Sequence, residues 1–354
     1  ENEKKENMIG GIVGALVGSL LGVACIVILS QLGYVAALSG VSVTTVSRVL
    51  NKRGYISEDT YKKGYDAMAE LNYQPNQLAR SLSKQKTNFI GLLVPDVSHP
   101  FFAEMTHLLE ISLFNHGYKL ILCNTQRNDM REQSYLDMLR QNKVDGAIVA
   151  THYLQTSDYK DLSLPLVAMD VFLDESIPSV HSNHIRGGKL AARPFIDGNA
   201  RCVLQIRGDS DIKSPAWMRH SVFADELLEH NIKCIDYELK ADEFDISSYC
   251  KIIQKQLDSH PEIDGVFSTD IIVSYAIKYI LEKGKKIPDD YIIVGYDGVD
   301  ISNYVYPSLS YVRQPFEKLA DTIVDVLLRK INGENLTDDV VINDVKFIKG
   351  NTTR

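Results

Sequence analysis

The sequence is poor in cysteine and pairs none of it: Cys25, Cys123, Cys202, Cys234 and Cys250 are scattered, odd in number and form no CxxC. That excludes a disulfide framework, fits a reducing cytosol and leaves most of them as small core residues. A nucleophile elbow, a P-loop and zinc-ligand spacing are also missing, so an enzyme is not expected. His181 and His184 stand three apart with no Cys partner nearby, and no metal is expected there. Nor is there an excess of positive charge. A formal net charge of −8 over 354 residues excludes a protein that coats nucleic acid along its whole surface.

The charge that is present is uneven. Between Val35 and Lys86 the basic residues are Arg48, Lys52, Arg53, Lys62, Lys63, Arg80, Lys84 and Lys86, and the acidic ones are Glu58, Asp59, Asp66 and Glu70, so eight minus four leaves +4 there and −12 elsewhere. A small basic module on an acidic body points to one local surface for a polyanion. Ahead of it, Met8 to Leu29 is a run of 22 residues without a charge, about the length that spans a bilayer as a helix. Gly10, Gly14, Gly18 and Gly22 lay a GxxxG stripe along it that lets helices pack closely in lipid. Lys4 and Lys5 before the run also suit a signal peptide, and Gly22-Val23-Ala24-Cys25 is similar to a lipoprotein cleavage box. Export conflicts with the DNA reader that follows. Two readings stay open, a membrane-tethered regulator and a foreign segment joined by fusion or assembly error. The abrupt junction and the first residue, which is not Met, favour the foreign segment.

Val35 to Leu71 reads as three short helices. Val35-Ala36-Ala37-Leu38 stops at Ser39-Gly40, where Gly supplies the turn. Ser42 caps a second helix, Val43 to Asn51, with Val46 and Val49 on its buried face. Ser57 caps a third, with Tyr61, Tyr65, Met68 and Leu71 as apolar positions. The first two helices make a helix-turn-helix. Val43, Thr44, Thr45 and Ser47 are short enough for close approach to a major groove, and Arg48 can hold a guanine edge through two hydrogen bonds. Asn51, Lys52 and Arg53 would hold phosphates and set register.

Beyond this, Val35-Ala36, Ser42-Val43-Thr44-Thr45-Val46-Ser47-Arg48-Val49-Leu50-Asn51, Leu71-Asn72-Tyr73-Gln74-Pro75-Asn76 and Ala79-Arg80-Ser81-Leu82 follow in order. Together they closely resemble the LacI/GalR family of bacterial repressors, from about Val35 to near the end of the chain. The resemblance implies a hinge helix that folds on operator DNA, with Leu82 as the apolar wedge in the minor groove, Ala79 on the same side and Arg80 beside them. It also implies a homodimer, and without a heptad run no tetramer-forming tail is expected. Helix 1 departs from the family pattern. Gln31-Leu32-Gly33-Tyr34 replaces the usual capping Thr and first-turn Asp, and Gly33 and Gly64 are weak points within their helices.

From Asn88 apolar strand candidates, Phe89–Val94, Leu120–Cys123, Gly146–Ala150, Leu166–Met169, Cys202–Ile206, Gly265–Phe267, Tyr291–Gly295 and Leu309–Val312, alternate with helical stretches. That alternation predicts an α/β fold of parallel sheets covered by helices. The resemblance implies two such lobes joined by three crossovers, as in periplasmic sugar-binding proteins. One lobe is about residues 88–182 plus 314–341, and the other is the rest. Ligands in such folds lie beyond the carboxyl ends of the strands. Carried over by position, Arg219 and Asp297 would hold effector hydroxyls, Phe101 would pack on the ligand, and Asp170, Thr269 and Gln314 would assist. Phe102 is expected in the core. Lys213 is the residue that would meet a phosphate if the effector were a sugar phosphate.

The expected domain order is a hydrophobic segment over 1–30, a helix-turn-helix domain over 31–74, a hinge over 75–87 and a two-lobed sensor and dimerisation domain over 88–354. The expected function is a sequence-specific repressor of carbohydrate-utilisation genes. Its partners are double-stranded operator DNA, a sugar or sugar-phosphate effector, a second copy of the chain and, through residues 8–29, a membrane. No cofactor is expected, and the place of work is the cytoplasm. Gly187-Gly188-Lys189-Leu190-Ala191 and Met138 through Gly146 are most similar to Gram-positive sucrose-operon repressors. The alternative is a membrane-anchored sugar-binding receptor, which leaves the helix-turn-helix unexplained.

Overall fold

A computed structural model describes residues 32–51, 54–73, 86–151, 153–154, 158–159, 164–208, 214–240, 243–342 and 344–354. The apolar run, Lys52, Arg53, the hinge residues Ala79, Arg80 and Leu82, and Lys213 lie outside the described residues, as does the side chain of Asn51. The chain forms two compact units, Glu1–Thr87 and Asn88–Arg354.

In the first unit, α1 (Leu32–Ser39) and α2 (Val43–Asn51) meet at 101° across a three-residue turn. Gly40 makes that turn at φ +67°, a backbone most side chains resist. Ser42 caps α2 by accepting from the Thr45 amide at 3.1 Å, and Ser57 caps α3 (Glu58–Glu70) through the Thr60 amide at 3.3 Å. Val35, Ala36, Val46, Val49, Ala67 and Met68 form the small core. The α3 face differs from expectation, because Tyr65 and Leu71 are 49% and 43% exposed. Gly64 is buried in their place, where a Cβ would stand 3.3 Å from Val49 Cγ1. Gly64 is thus a point of close contact between α3 and α2. No single helix among the described residues is long and apolar enough to cross a membrane.

The second unit holds two six-stranded sheets. The first contains β1 (Phe89–Val94), β2 (Lys119–Asn124), β3 (Gly146–Val149), β4 (Leu166–Met169), β5 (Ser179–Ser182) and, late in the chain, β11 (Val340–Ile342). The second contains β6 (Cys202–Arg207), β7 (Lys233–Glu238), β8 (Gly265–Phe267), β9 (Ile292–Asp297), β10 (Ser310–Arg313) and β12 (Lys346–Ile348). Their orders are β2-β1-β3-β4-β5-β11 and β7-β6-β8-β9-β10-β12, one topology used twice. All pairs are parallel except β10 with β12. Helices α4 (Pro100–Asn115), α5 (Asp129–Gln141) and α10 (Phe316–Ile331) cover the first sheet; α6 (His184–Asp197), α7 (Trp217–Glu229), α8 (Ile246–Ser259) and α9 (Asp270–Glu282) cover the second. The chain crosses between lobes after β5, after β10 and after β11. In each lobe the strand order reverses beside the first strand, between β1 and β3 and between β6 and β8. Such a reversal splays the following loops apart and opens a crevice at the carboxyl ends.

Candidate functional site

Between the lobes those two crevices face each other around a cavity of about 190 Å³. Its polar wall is built from strand ends. His99 and Phe101 follow β1, Asp170 follows β4, Thr269 follows β8, Asp297 ends β9 and Gln314 follows β10. Arg219 comes from α7. The six sequence-derived effector residues, Phe101, Asp170, Arg219, Thr269, Asp297 and Gln314, therefore line one cavity. Phe102 lines it too, half-buried and edge-on to Phe101, instead of lying wholly in the core.

The polar groups are linked in series. Gln314 Nε2 donates to Asp297 Oδ1 at 2.8 Å, and Arg219 Nη1 stands 3.7 Å from the same oxygen. Arg219 Nε donates to His220 Nε2 at 3.2 Å, so that nitrogen carries no proton. The proton is then on Nδ1, which donates to Gln205 Oε1 at 3.2 Å. Burial, with Arg219 and Arg207 nearby, holds the His220 imidazole well below its ordinary value, as a neutral ring in this role requires. Gln205 in turn donates to Asp236, which also takes the Arg207 guanidinium at 2.7 Å. Beneath Arg219 lies the Tyr296 ring, 4.3 Å from the guanidinium carbon.

Two glycines make this packing possible. A Cβ on Gly187 would fall 2.1 Å from the Tyr296 hydroxyl, and one on Gly188 would fall 2.5 Å from the Arg219 carbonyl oxygen. Both lie in α6, whose first residue, His184, hydrogen-bonds Tyr296 Oη at 3.1 Å and Asp170 Oδ1 at 2.7 Å. Burial depresses His184 despite the Asp170 carboxylate, so its Nε2–H donates to Asp170 while Nδ1 accepts from Tyr296. Asp170 belongs to the first lobe, and His184 and Ser214 to the second; the Ser214 hydroxyl donates to the Asp170 carbonyl at 2.7 Å. These bonds hold the lobes together beside the cavity.

The cavity also has unmet polar demand. His99 Nδ1 and Thr269 Oγ1 are buried and have no hydrogen-bond partner among the described residues. Burial pushes the His99 imidazole down to about 4. Asp297 is pushed up to about 6 by burial, against the pull of Arg219 and Gln314. The gap between Arg219 and Asp297 is wider than a hydrogen bond, and a hydroxyl placed there could accept from one and donate to the other. Acceptors, an arginine and aromatic faces around one small space are the chemistry of polyol recognition. Sequence reasoning passed over His99, His220, Gln205 and Tyr296. Their signal was position, since each lies at or near a strand end or beside Arg219.

On α2, Val43, Thr44 and Arg48 are exposed, while Thr45 and Ser47 are half-buried. Thr45 is partly engaged, its hydroxyl 2.9 Å from that of Ser42. A solvent-facing row on the second helix of a pair crossing near a right angle is the geometry that enters a major groove.

Known proteins match both units. Residues 31–76 match the family described as bacterial regulatory proteins, lacI family, and residues 198–353 match the periplasmic binding protein-like domain. A ribose operon repressor of Halalkalibacterium halodurans is 38% identical over 85% of this chain and 90% of its own length. A sucrose operon repressor of Streptococcus mutans is likewise 38% identical, over 88% of this chain and 96% of its own. A periplasmic binding protein/LacI transcriptional regulator from Alkaliphilus metalliredigens, solved with D-xylulofuranose, is 31% identical with a TM-score of 0.65, covering 75% of this chain and 99% of that one. The lac repressor dimer bound to operator and the anti-inducer ONPF shares the fold at a TM-score of 0.79 and 23% identity, over 90% of this chain and 97% of that one.

Proposed function

Since this chain belongs to the lacI family of bacterial regulatory proteins, we propose that it represses carbohydrate-utilisation genes through a sugar bound between its lobes. It is a DNA-binding transcription regulator and not an enzyme. Two copies read the halves of a near-palindromic operator through α2, with Arg48 reading a base and Val43, Thr44, Thr45 and Ser47 fitting the groove floor. Asn51, Lys52 and Arg53 hold phosphates, and Ala79, Arg80 and Leu82 form the hinge in the minor groove. The observation that carries the effector half is the cavity at the strand ends of both lobes, where His99 Nδ1 and Thr269 Oγ1, without partners among the described residues, share the lining with Arg219, Asp297 and Gln314.

A sugar in that cavity touches both lobes at once, so it favours one lobe arrangement over others. How far it shifts operator binding equals its difference in affinity for the two arrangements. Operator DNA places the protein's work in the cytoplasm, and insertion of residues 8–29 would hold it at the membrane. The receptor reading gives the crossed helix pair no task, and the repressor reading uses both units.

Selection from random duplex DNA tests the proposal. The full chain should enrich one palindrome, with affinity that falls steeply as salt rises. Arg48→Ala should relax preference at one base position per half-site, costing about 1–3 kcal/mol against the best sequence. Unchanged preference in that variant would remove Arg48 from the reading helix.

A further inference from the structure

Charge, more than shape, separates a sugar from its phosphate ester. A phosphate monoester carries about −1.5 to −2 charges at pH 7, on oxygens that accept hydrogen bonds. A sugar hydroxyl carries no charge and can both donate and accept. Among the described residues the cavity wall has four charged side chains, Asp170, Arg207, Arg219 and Asp297. We infer that the cleft selects an unphosphorylated sugar and rejects phosphate esters by charge, because both of its guanidinium groups are already engaged by the protein's own carboxylates and acceptors. The inference rests on the reading of this cleft as the effector site.

Arg207 has all three nitrogens occupied. Nε donates to Asp236 Oδ2 at 2.7 Å, Nη2 meets Glu238 Oε2 at 2.7 Å, and Nη1 donates to the Gly208 carbonyl at 3.4 Å. Its guanidinium carbon lies 4.7 Å from the Trp217 ring, and only 11% of the side chain is exposed. Arg219 is held in the same way, with Nε on His220, Nη1 facing Asp297 Oδ1 and its plane over Tyr296. A phosphate would have to draw one of these guanidiniums from its partners and leave a carboxylate uncompensated, which is costly away from water.

Nothing else on the described wall supplies positive charge. Burial holds the His99 and His220 imidazoles below their ordinary value, so both are neutral near pH 7. Against burial, the His184 bond and the Arg219 charge hold the Asp170 carboxyl below its ordinary range. Asp297, pushed up to about 6 by burial, is still largely ionised at pH 7. Four carboxylates, Asp170, Asp236, Glu238 and Asp297, thus stand on and behind the wall against two guanidiniums. In the sequence Lys213 stands with Asp209 and Asp211, so that segment, which lies outside the described residues, brings two acids for one base. At an effective dielectric of about 20, two like charges about 6 Å apart weaken binding about a hundredfold.

Hydrogen-bond supply points the same way. Ionised Asp170 and Asp297 can only accept, and Gln314 Nε2 already donates to Asp297. A hydroxyl has a proton to give such a wall, and a phosphate dianion has none.

The test is calorimetric titration of the full chain at neutral pH with D-ribose, D-fructose, D-glucose and sucrose, each beside its own ester: ribose 5-phosphate, fructose 6-phosphate, glucose 6-phosphate and sucrose 6-phosphate. At least one free sugar should bind, and its ester should bind about a hundredfold more weakly. Glu238→Gln keeps the shape of β7 and takes one carboxylate from Arg207. In that variant the ester should gain about two- to fivefold in affinity, the range for a partly exposed ion pair, while the free sugar binds as before. An ester bound by the wild type within tenfold of its parent sugar, or more tightly, overturns the inference and leaves the effector site standing. An ester that stays equally weak in Glu238→Gln is excluded by size, and rejection by charge falls. Failure of all four sugars and their esters, or sugar binding that Asp297→Asn leaves intact, overturns the effector site itself and the inference with it.

Discussion

Replacing Gly187 by alanine tests whether the Arg219–Tyr296 platform is set by the close approach of α6. The new Cβ would lie 2.1 Å from the Tyr296 hydroxyl, where an ordinary contact begins near 3.4 Å, so the two atoms must part by 1.3 Å. Neither side can give cheaply. Gly188 holds α6 against the Arg219 backbone, where a Cβ would come within 2.5 Å, and Tyr296 is fully buried under the Arg219 guanidinium. Overpacking of this kind costs about 1–3 kcal/mol, and the gain in helix propensity from Gly to Ala returns up to about 1 kcal/mol. A net loss of about 1–2 kcal/mol should lower the Tm by several degrees. Displacing the Tyr296 ring also breaks its bond to His184 and tilts the surface on which Arg219 rests. Sugar affinity should therefore fall about tenfold or more, beyond what the loss of stability explains. Thermal melting and calorimetric titration of the full chain measure both quantities. If Gly187→Ala keeps wild-type Tm and wild-type affinity, the close approach does not set the site.

Two further outcomes follow from the same structure. Asp297, pushed up to about 6, accepts a sugar hydroxyl best when ionised, so affinity should rise with pH through 6 and be about tenfold weaker at pH 5 than at pH 7. His99, at about 4, stays neutral across that window, and a titration that is flat from pH 5 to 7 would take Asp297 out of direct contact with the sugar. In the DNA-binding unit, Gly64→Ala should be nearly neutral, because the Val49 methyl need yield only slightly, whereas Gly64→Val should destabilise by about 1–3 kcal/mol. Circular dichroism melts of the two variants side by side, with operator binding as a second readout, decide whether α3 rests on α2 at this point.

The fold was legible wherever a local pattern dictates it. Uninterrupted apolar runs such as Phe89–Val94 become strands covered on both faces, and Gly40, Ser42 and Ser57 punctuate the helices as their chemistry requires. Other strands were missed where the pattern fails. Ser179-Val180-His181-Ser182 is polar on paper but buried in the sheet, and Lys233–Glu238 mixes charged and apolar residues without alternation on a half-exposed edge beside β6 alone. On α3 Met68 is buried and Tyr61 packs on the core as expected, but Tyr65 and Leu71 face out while Gly64 and Ala67 are buried, because two short helices meet most closely where side chains are smallest. Strand-end position was enough to place Asp170, Thr269 and Asp297 on the cavity wall. The contact of Arg127 with Phe244 was not legible, since the two stand in separate loops and meet only through the arrangement of two lobes.

The electrostatics of the cleft explain why the effector can act as a switch. Asp297 shares its surroundings with Asp270, whose carboxyl is raised well above its ordinary value by burial and by Asp297 itself. Asp270 is tied to the amides of Gly298 and Val299 at 2.6 and 3.0 Å and fits only because residue 295 is glycine. With a folded-state value above the ordinary 3.8, Asp297 contributes its full stability only below about pH 4, and that contribution is lost as pH rises through 6. Near neutral pH the cleft without a sugar thus holds an ionised carboxylate at a cost, and close by His99 Nδ1 and Thr269 Oγ1 have no partner among the described residues. A sugar that donates to Asp297 and bonds the other two groups removes all three costs together, and it does so only while both lobes surround it. An open arrangement leaves those groups to water and gains little from the same sugar. That difference between arrangements, and not the sugar's total affinity, is what can be passed on to the DNA-binding unit.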